Sequence, residues 1–194
     1  MPAIVGDPKI KGLIILARRE FVEQRWGKEG WEKVVARMSP ADQQILKGLI
    51  LPIGWYPFEL NIRLDKIIAE VHSPHDRKEI FYEMGRASAE TNMHKLHPSY
   101  IKAGDPKHLL DNTAIIYKSY YDSGHRACEM LSATSAVLKT YDALNVTSQD
   151  CQTVVGWYQR AIEICGGKKV KVREVQCRVD GAPHCEYLCE WSSS

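Results

Sequence analysis

Six cysteines punctuate the 194-residue chain, and four of them, Cys165, Cys177, Cys185 and Cys189, fall within its last thirty residues. A turn near Gly181 would set positions 177 and 185 opposite one another within one residue, so that two thiolates face a common point. Cys151 opens the helix that feeds this hairpin, and folding that helix back over the sheet carries its thiol to the same place. Glu174 supplies a hard oxygen. Three thiolates and one carboxylate suit a tetrahedral zinc ion, and four protein ligands make the site structural, because a catalytic zinc keeps one position open for water. Parity imposes a condition: residues 174 and 177 differ by an odd number, so a regular strand turns them to opposite faces. A bulge has to intervene. On spacing alone a second reading stays open, in which Cys177 and Cys185 are a cross-strand pair of packed thiols and Glu174 is a surface charge.

The elements that must position these residues follow from hydrophobic period and punctuation. Leu13, Leu16, Ala17, Phe21 and Val22 recur at helical spacing from Gly12 to Trp26, and Gly27 ends the pattern. A short helix follows from Gly30 to Met38. Ser39-Pro40-Ala41-Asp42 is a helix start with a capping serine and proline in the first turn. Further helices are expected from about Phe58 to His72, from Asp76 to about Lys95, and from Asp105 through Ile115. The character then changes. Tyr117 to Tyr121, His125 to Ser132 and Ser135 to Tyr141 read as strands. An amphipathic helix capped by Asp150 runs to Cys165 and ends at Gly166-Gly167. Lys169 to Arg178 and His184 to Trp191 form a closing hairpin, and the terminal serines read as a frayed tail. The expected class is α+β: a helical N-terminal layer packed on an antiparallel sheet, with one long inserted helix. One domain spans residues 1–194, helical over 1–115, with sheet, helix and metal site over 116–191.

Composition narrows the function classes. At 44% hydrophobic and 26% charged the chain is ordinary for a folded domain, and a net charge of +2 gives no reason to expect nucleic acid or an anionic membrane. No segment approaches the roughly 18 to 20 apolar residues of a membrane span. The run Gly12 to Ala17 is too short for a signal peptide and lacks a small-residue cleavage site. A cytoplasmic setting is expected, where thiols stay reduced and six cysteines read as metal ligands or buried side chains.

The run from Gly166 to Trp191, with its lysine-valine strand, cysteine, glycine and second cysteine, resembles the end of the 4-vinyl reductase domain. The sensor domains of phenol-responsive transcriptional activators belong to that group. They bind zinc through a cysteine, then a glutamate, then two cysteines, and Cys151, Glu174, Cys177 and Cys185 match that order and spacing. Cys128, Cys165 and Cys189 lie outside the pattern and read as packing residues. Lys11-Gly12, Phe21-Val22, Trp26-Gly27 and Trp31 resemble, more loosely, the opening of haem nitric-oxide-binding domains. The same superfamily includes subunits of the vesicle-tethering TRAPP complex, and the chain over its whole length resembles bacterial members of it.

Resemblance to the phenol sensors implies a pocket between helices and sheet for a small apolar or aromatic ligand. Strand alternation puts Cys128 and Met130 on one face, with Val172 and Tyr121 able to join from neighbouring strands; a solid core is the alternative for each. Arg126 shares their parity, but at the strand end it is expected to reach solvent. Haem is disfavoured. Haem nitric-oxide-binding domains carry tyrosine, serine and arginine at alternate positions, whereas Tyr121-Asp-Ser123-Gly-His125-Arg126 has one residue too many. His94, His97 and His108 lie where an axial ligand is expected, with surface or capping roles as the simpler reading. No phosphate-cradling loop, nucleophile elbow or protease-type metal motif is present, so no catalysis is expected. Two classes remain: a sensor-like ligand-binding module, and a TRAPP-like assembly subunit without a ligand. Either signals through a homodimer or a partner protein.

Overall fold

The computed structural model describes residues 7–192. Short strand β1 (Lys9–Lys11) pairs with β2 (Trp55–Pro57), and the helices α1 (Gly12–Ala36), α2 (Pro40–Lys47), α3 (Phe58–His72) and α4 (Arg77–Leu96) build the N-terminal layer. A 3₁₀ turn at Pro98–Tyr100 leads to the short helices α5 (Pro106–Asp111) and α6 (Thr113–Lys118). The strands β3 (His125–Ser132), β4 (Ser135–Tyr141), β5 (Lys168–Gln176) and β6 (Cys185–Ser192) form one antiparallel sheet in the order β3-β4-β6-β5, with α7 (Ser148–Ile164) inserted between β4 and β5. This is the expected α+β layering.

Gly27, at φ 69° and ψ −177°, interrupts α1 and divides it into two helical stretches, as expected. Three differences from the sequence reading have local causes. Asn112 splits the expected sixth helix into α5 and α6. The segment expected as a strand from Tyr117 to Tyr121 instead continues α6 into a turn, with Tyr120 and Tyr121 bonding back to Tyr117, and only Tyr121 makes a single bridge, to Ile10. Apolar aromatics at consecutive positions suit either state, and here helical hydrogen bonds win. The cap of α7 is Thr147 rather than Asp150. Thr147 accepts from the Asp150 backbone N–H while the Asp150 carboxylate accepts from the Thr147 N–H, a reciprocal capping box. Of the expected frayed tail, residues 193–194 lie outside the described residues, and Ser192 closes β6.

Two glycines set the depth of α7 in the core. A Cβ on Gly85 of α4 would fall inside the van der Waals envelope of the Thr153 carbonyl oxygen, and one on Gly156 of α7 would meet the Tyr82 carbonyl in the same way. The two backbones therefore touch directly. On α7, Cys151, Val154, Val155, Tyr158, Ala161 and Ile162 form the buried stripe that lies across the sheet. Facing it, Cys185, Tyr187, Cys189 and Trp191 alternate inward from β6. The close α4–α7 crossing thus fixes where the first turn of α7, and Cys151 with it, meets the hairpin.

Candidate metal centre and interior cavities

The hairpin geometry turns on one extra residue. On β5, Val170, Val172 and Glu174 share the inner parity, opposite Cys189 and Tyr187 on β6. Glu174 pairs with Tyr187 but Gln176 pairs with Glu186, so two residues advance on β5 for one on β6. Val175 is the surplus residue and points outward, 42% exposed. This is the bulge that parity demanded, and beyond it Cys177 faces the same side as Glu174. Gly181, at φ 89°, closes the loop in the left-handed region.

The structure brings all four expected ligands together. One donor atom each from Cys151, Glu174, Cys177 and Cys185 lies within 4.8 Å of every other. Sγ of Cys151 is 3.5 Å from Cys177 and 3.9 Å from Cys185, and Cys177 is 3.9 Å from Cys185. Zinc–sulfur bonds of about 2.3 Å in tetrahedral array place sulfurs roughly 3.8 Å apart, so the spacing fits an ion at the centre. It is too long for any disulfide, and all six cysteines are free. Glu174 Oε1 is buried and makes no full hydrogen bond, with the Cys151 and Cys177 thiols beside the carboxylate.

Electrostatics in the cluster are those of donors awaiting a cation. Cys185 is pulled down to about 6 by the hydrogen bond from the Cys151 thiol, against burial and with help from the Arg178 backbone N–H at 3.4 Å. Cys151, donating to Cys185 and buried, is held far above the ordinary thiol range. Burial pushes Cys177 up to about 11. A divalent cation lets all three ionise together. The other cysteines stand apart: Cys165 and Cys189 are fully buried in the core, and Cys128 packs half-buried on β3.

The expected ligand-pocket residues are mostly not gathered. Two small cavities, about 50 and about 40 Å³, lie between the helices and the sheet, and Tyr121 lines both. Cys128, Met130 and Val172 line neither and belong to the packed core. Parity gave them the right face but not the right place along it. The cavities sit at the start of β3, whereas Met130 lies toward its end and Val172 lies on the opposite edge strand.

Arg126 corrects the reading in the other direction. It is only 7% exposed, because Tyr117 of α6 and Tyr158 of α7 close over the strand end, and it lines both cavities. No signal within β3 itself marks this; the cover comes from helices that only the tertiary fold brings there. Arg18, also on the first cavity, is buried against Asp65 at 2.7 and 3.0 Å and donates to Ser88 at 2.8 Å, tying α1 to α3 and α4.

Histidines stay out of both cavities. His97 ends α4 and is buried, with Nε2 3.0 Å from the Tyr120 hydroxyl, and burial lowers its pKa. His94 is exposed beside Glu90, and His108 lies at the surface against the Ser99 carbonyl.

Among solved structures, the chain is similar in fold to an H-NOX protein from S. oneidensis in the Fe(II)NO ligation state, at TM-score 0.73 and 16% identity over 94% of this chain and 99% of that one. It is similar to the Fe(II) unliganded H-NOX protein from K. algicida, at TM-score 0.67 and 13% identity over 95% and 97%. A structure described under heme distortion in the H-NOX family gives TM-score 0.71 and 13% identity over 94% and 95%. At such identities the likeness is one of fold. Among curated proteins, none matches this chain in sequence. With a family profile matching residues 11–192, nearly the whole of the described fold, the chain belongs to the family described as a protein of unknown function (DUF2378).

Proposed function

We propose that the chain is a non-catalytic, sensor-like ligand-binding domain whose closing hairpin is clamped to α7 by a structural zinc ion. The observation that carries the clamp is the convergence of Cys151, Glu174, Cys177 and Cys185 within 4.8 Å, with Glu174 Oε1 buried and without a full hydrogen bond. These four residues hold the ion, which supplies cross-linking rather than reactivity, since no ligand position is left for water. The reduced thiols accord with a cytoplasmic setting. Among the described residues no helix is long and apolar enough to cross a membrane. Native mass spectrometry with elemental analysis, on protein purified without chelator, is expected to give one zinc per chain. Zinc-free protein that folds fully would refute the clamp.

The ligand site lies between the helices and the sheet around Tyr121. Its volume limits an occupant to a few heavy atoms as the side chains stand, well below the roughly 300 Å³ of an ordinary drug-sized pocket. A larger apolar or aromatic ligand needs Tyr121 or Trp157 to move. Haem, named for the H-NOX family of similar fold, does not fit the site as the side chains stand: the two cavities are too small and no histidine lines either.

A second reading, a TRAPP-like assembly subunit, draws on a different observation. The connector between α2 and β2 exposes Leu49 (85%), Leu51, Ile53 (81%) and Trp55 close together in sequence. Light scattering after size exclusion tests it through self-association, and a strict monomer leaves only an unlike partner for this segment.

A further inference from the structure

Two arginines are buried between the layers, and the fold treats them differently. Arg18 is neutralised by a bidentate bond to Asp65. Arg126 has no carboxylate partner among the described residues. Its Nε donates to Thr140 Oγ1 at 2.8 Å, with the Tyr158 hydroxyl as a further neutral neighbour. Its guanidinium lies 4.9 Å from the Tyr117 ring, 5.4 Å from Tyr158 and 5.8 Å from Tyr187. Ring faces attract a cation but do not cancel its charge. Burial raises the pKa of Tyr117 and Tyr187, so both are neutral hydroxyls and not counter-ions.

A full positive charge taken out of water with only neutral partners is costly, and native cores neutralise or pair such groups. Here the charge borders open space instead. The 50 Å³ cavity beside Arg126 has no carboxylate in its lining, and it contains a second buried donor, Asn92 Nδ2, which makes no full hydrogen bond and has only the Tyr120 hydroxyl near it as an acceptor. The 40 Å³ cavity on the other side of Tyr117 and Tyr121 reaches out to Ser123 and Leu144. Its one carboxylate, Asp150, is engaged twice by Thr147. A guanidinium fork with unneutralised charge, a second buried donor and a small chamber together suit an anionic acceptor.

We propose that this chamber binds a short-chain organic carboxylate, with its oxyanion on Arg126 and its few carbons against the tyrosine rings. The volume suits acetate or propionate and excludes butyrate, which has as many heavy atoms as benzene, for which about 150 Å³ is needed. This deepens the ligand-binding reading above and rests on it.

The test uses the full chain as purified, followed by NMR of the Arg126 Nε–H and the Asn92 side-chain amide. Sodium acetate and propionate are titrated against acetamide and propionamide, with sodium chloride holding ionic strength constant. Saturable shifts are expected for the carboxylates, at least tenfold tighter than for the matching amides. Arg126→Gln is expected to weaken carboxylate binding tenfold or more. Because the acid-against-amide comparison is made on the unmodified protein, a variant that fails to fold leaves the test intact. Amides that bind as well as acids, or acids no better than chloride, overturn the carboxylate while a neutral ligand site survives. Binding of neither class sinks the ligand site itself. Zinc content measured on the same sample reports the clamp separately.

Discussion

At the hairpin end, four electron-rich donors converge around a point with no cation among the described residues; at the start of β3, a cation is buried with no carboxylate bonded to it among the described residues. Both regions are incomplete, but in opposite senses and with opposite consequences for stability. The hairpin closes through a short turn that gathers thiols which repel when ionised, so a bound ion there strengthens the fold. Arg126 is a charge the fold carries at a cost, so whatever it serves is not stability. The difference separates a part that holds shape from a part that meets a ligand.

The sharpest way to break the contrast is to remove a donor from the clamp. Cys177→Ser or Cys185→Ser is expected to abolish stoichiometric zinc and cost several kcal/mol of unfolding free energy in denaturant titrations. Next in size, Gly156→Ala drives a Cβ into the Tyr82 carbonyl. Overpacking of this kind costs about 1–3 kcal/mol. It is also expected to weaken zinc binding, since it lifts the first turn of α7 away from the hairpin. Thr147→Ala removes half of the capping box and is expected to cost about 1 kcal/mol, with a smaller loss of zinc affinity.

Arg126→Met tests the opposite side. Replacing an unneutralised buried cation with an apolar chain is expected to leave thermal stability unchanged or raise it by about 1 kcal/mol. A large loss would place Arg126 with the structural elements and erase the distinction between the regions.

The smallest expected effect is one of pH. Burial lowers the pKa of His97 and of His72, both in the helical layer, below the free value of 6.5. A base whose folded pKa is depressed contributes stability that is complete above about 6.5 and is lost as pH falls below it. Asp150, pushed up to about 7 by burial, contributes in the opposite sense over the same range, so the histidine share is read as a difference: His97→Gln is expected to keep more of its pH 7 stability at pH 5 than the unmodified chain does.

The clamp was legible in sequence because its logic is local. Residue spacing, a glycine turn and strand parity place Cys177 and Cys185, and parity even demanded the bulge that Val175 provides. The chamber was not legible. Alternation along β3 put Arg126, Cys128 and Met130 on one face, but which of them meets open space depends on where α6 and α7 lie, and Tyr158 of α7 is 32 residues away in sequence. The same long-range packing hid the Gly85–Gly156 crossing, since neither glycine marks a turn. The run from Tyr117 to Tyr121 failed for a different reason: short aromatic segments carry no period long enough to decide between helix and strand.

Backbone amide hydrogen exchange on the protein as purified, before and after a strong chelator, tests the central claim most directly. The account predicts one zinc per chain and, on its removal, lost protection in β5, β6 and the first turn of α7, while α1, α3 and α4 keep theirs. Protein that carries no zinc, or that loses it with protection of residues 174–189 unchanged, would contradict the account.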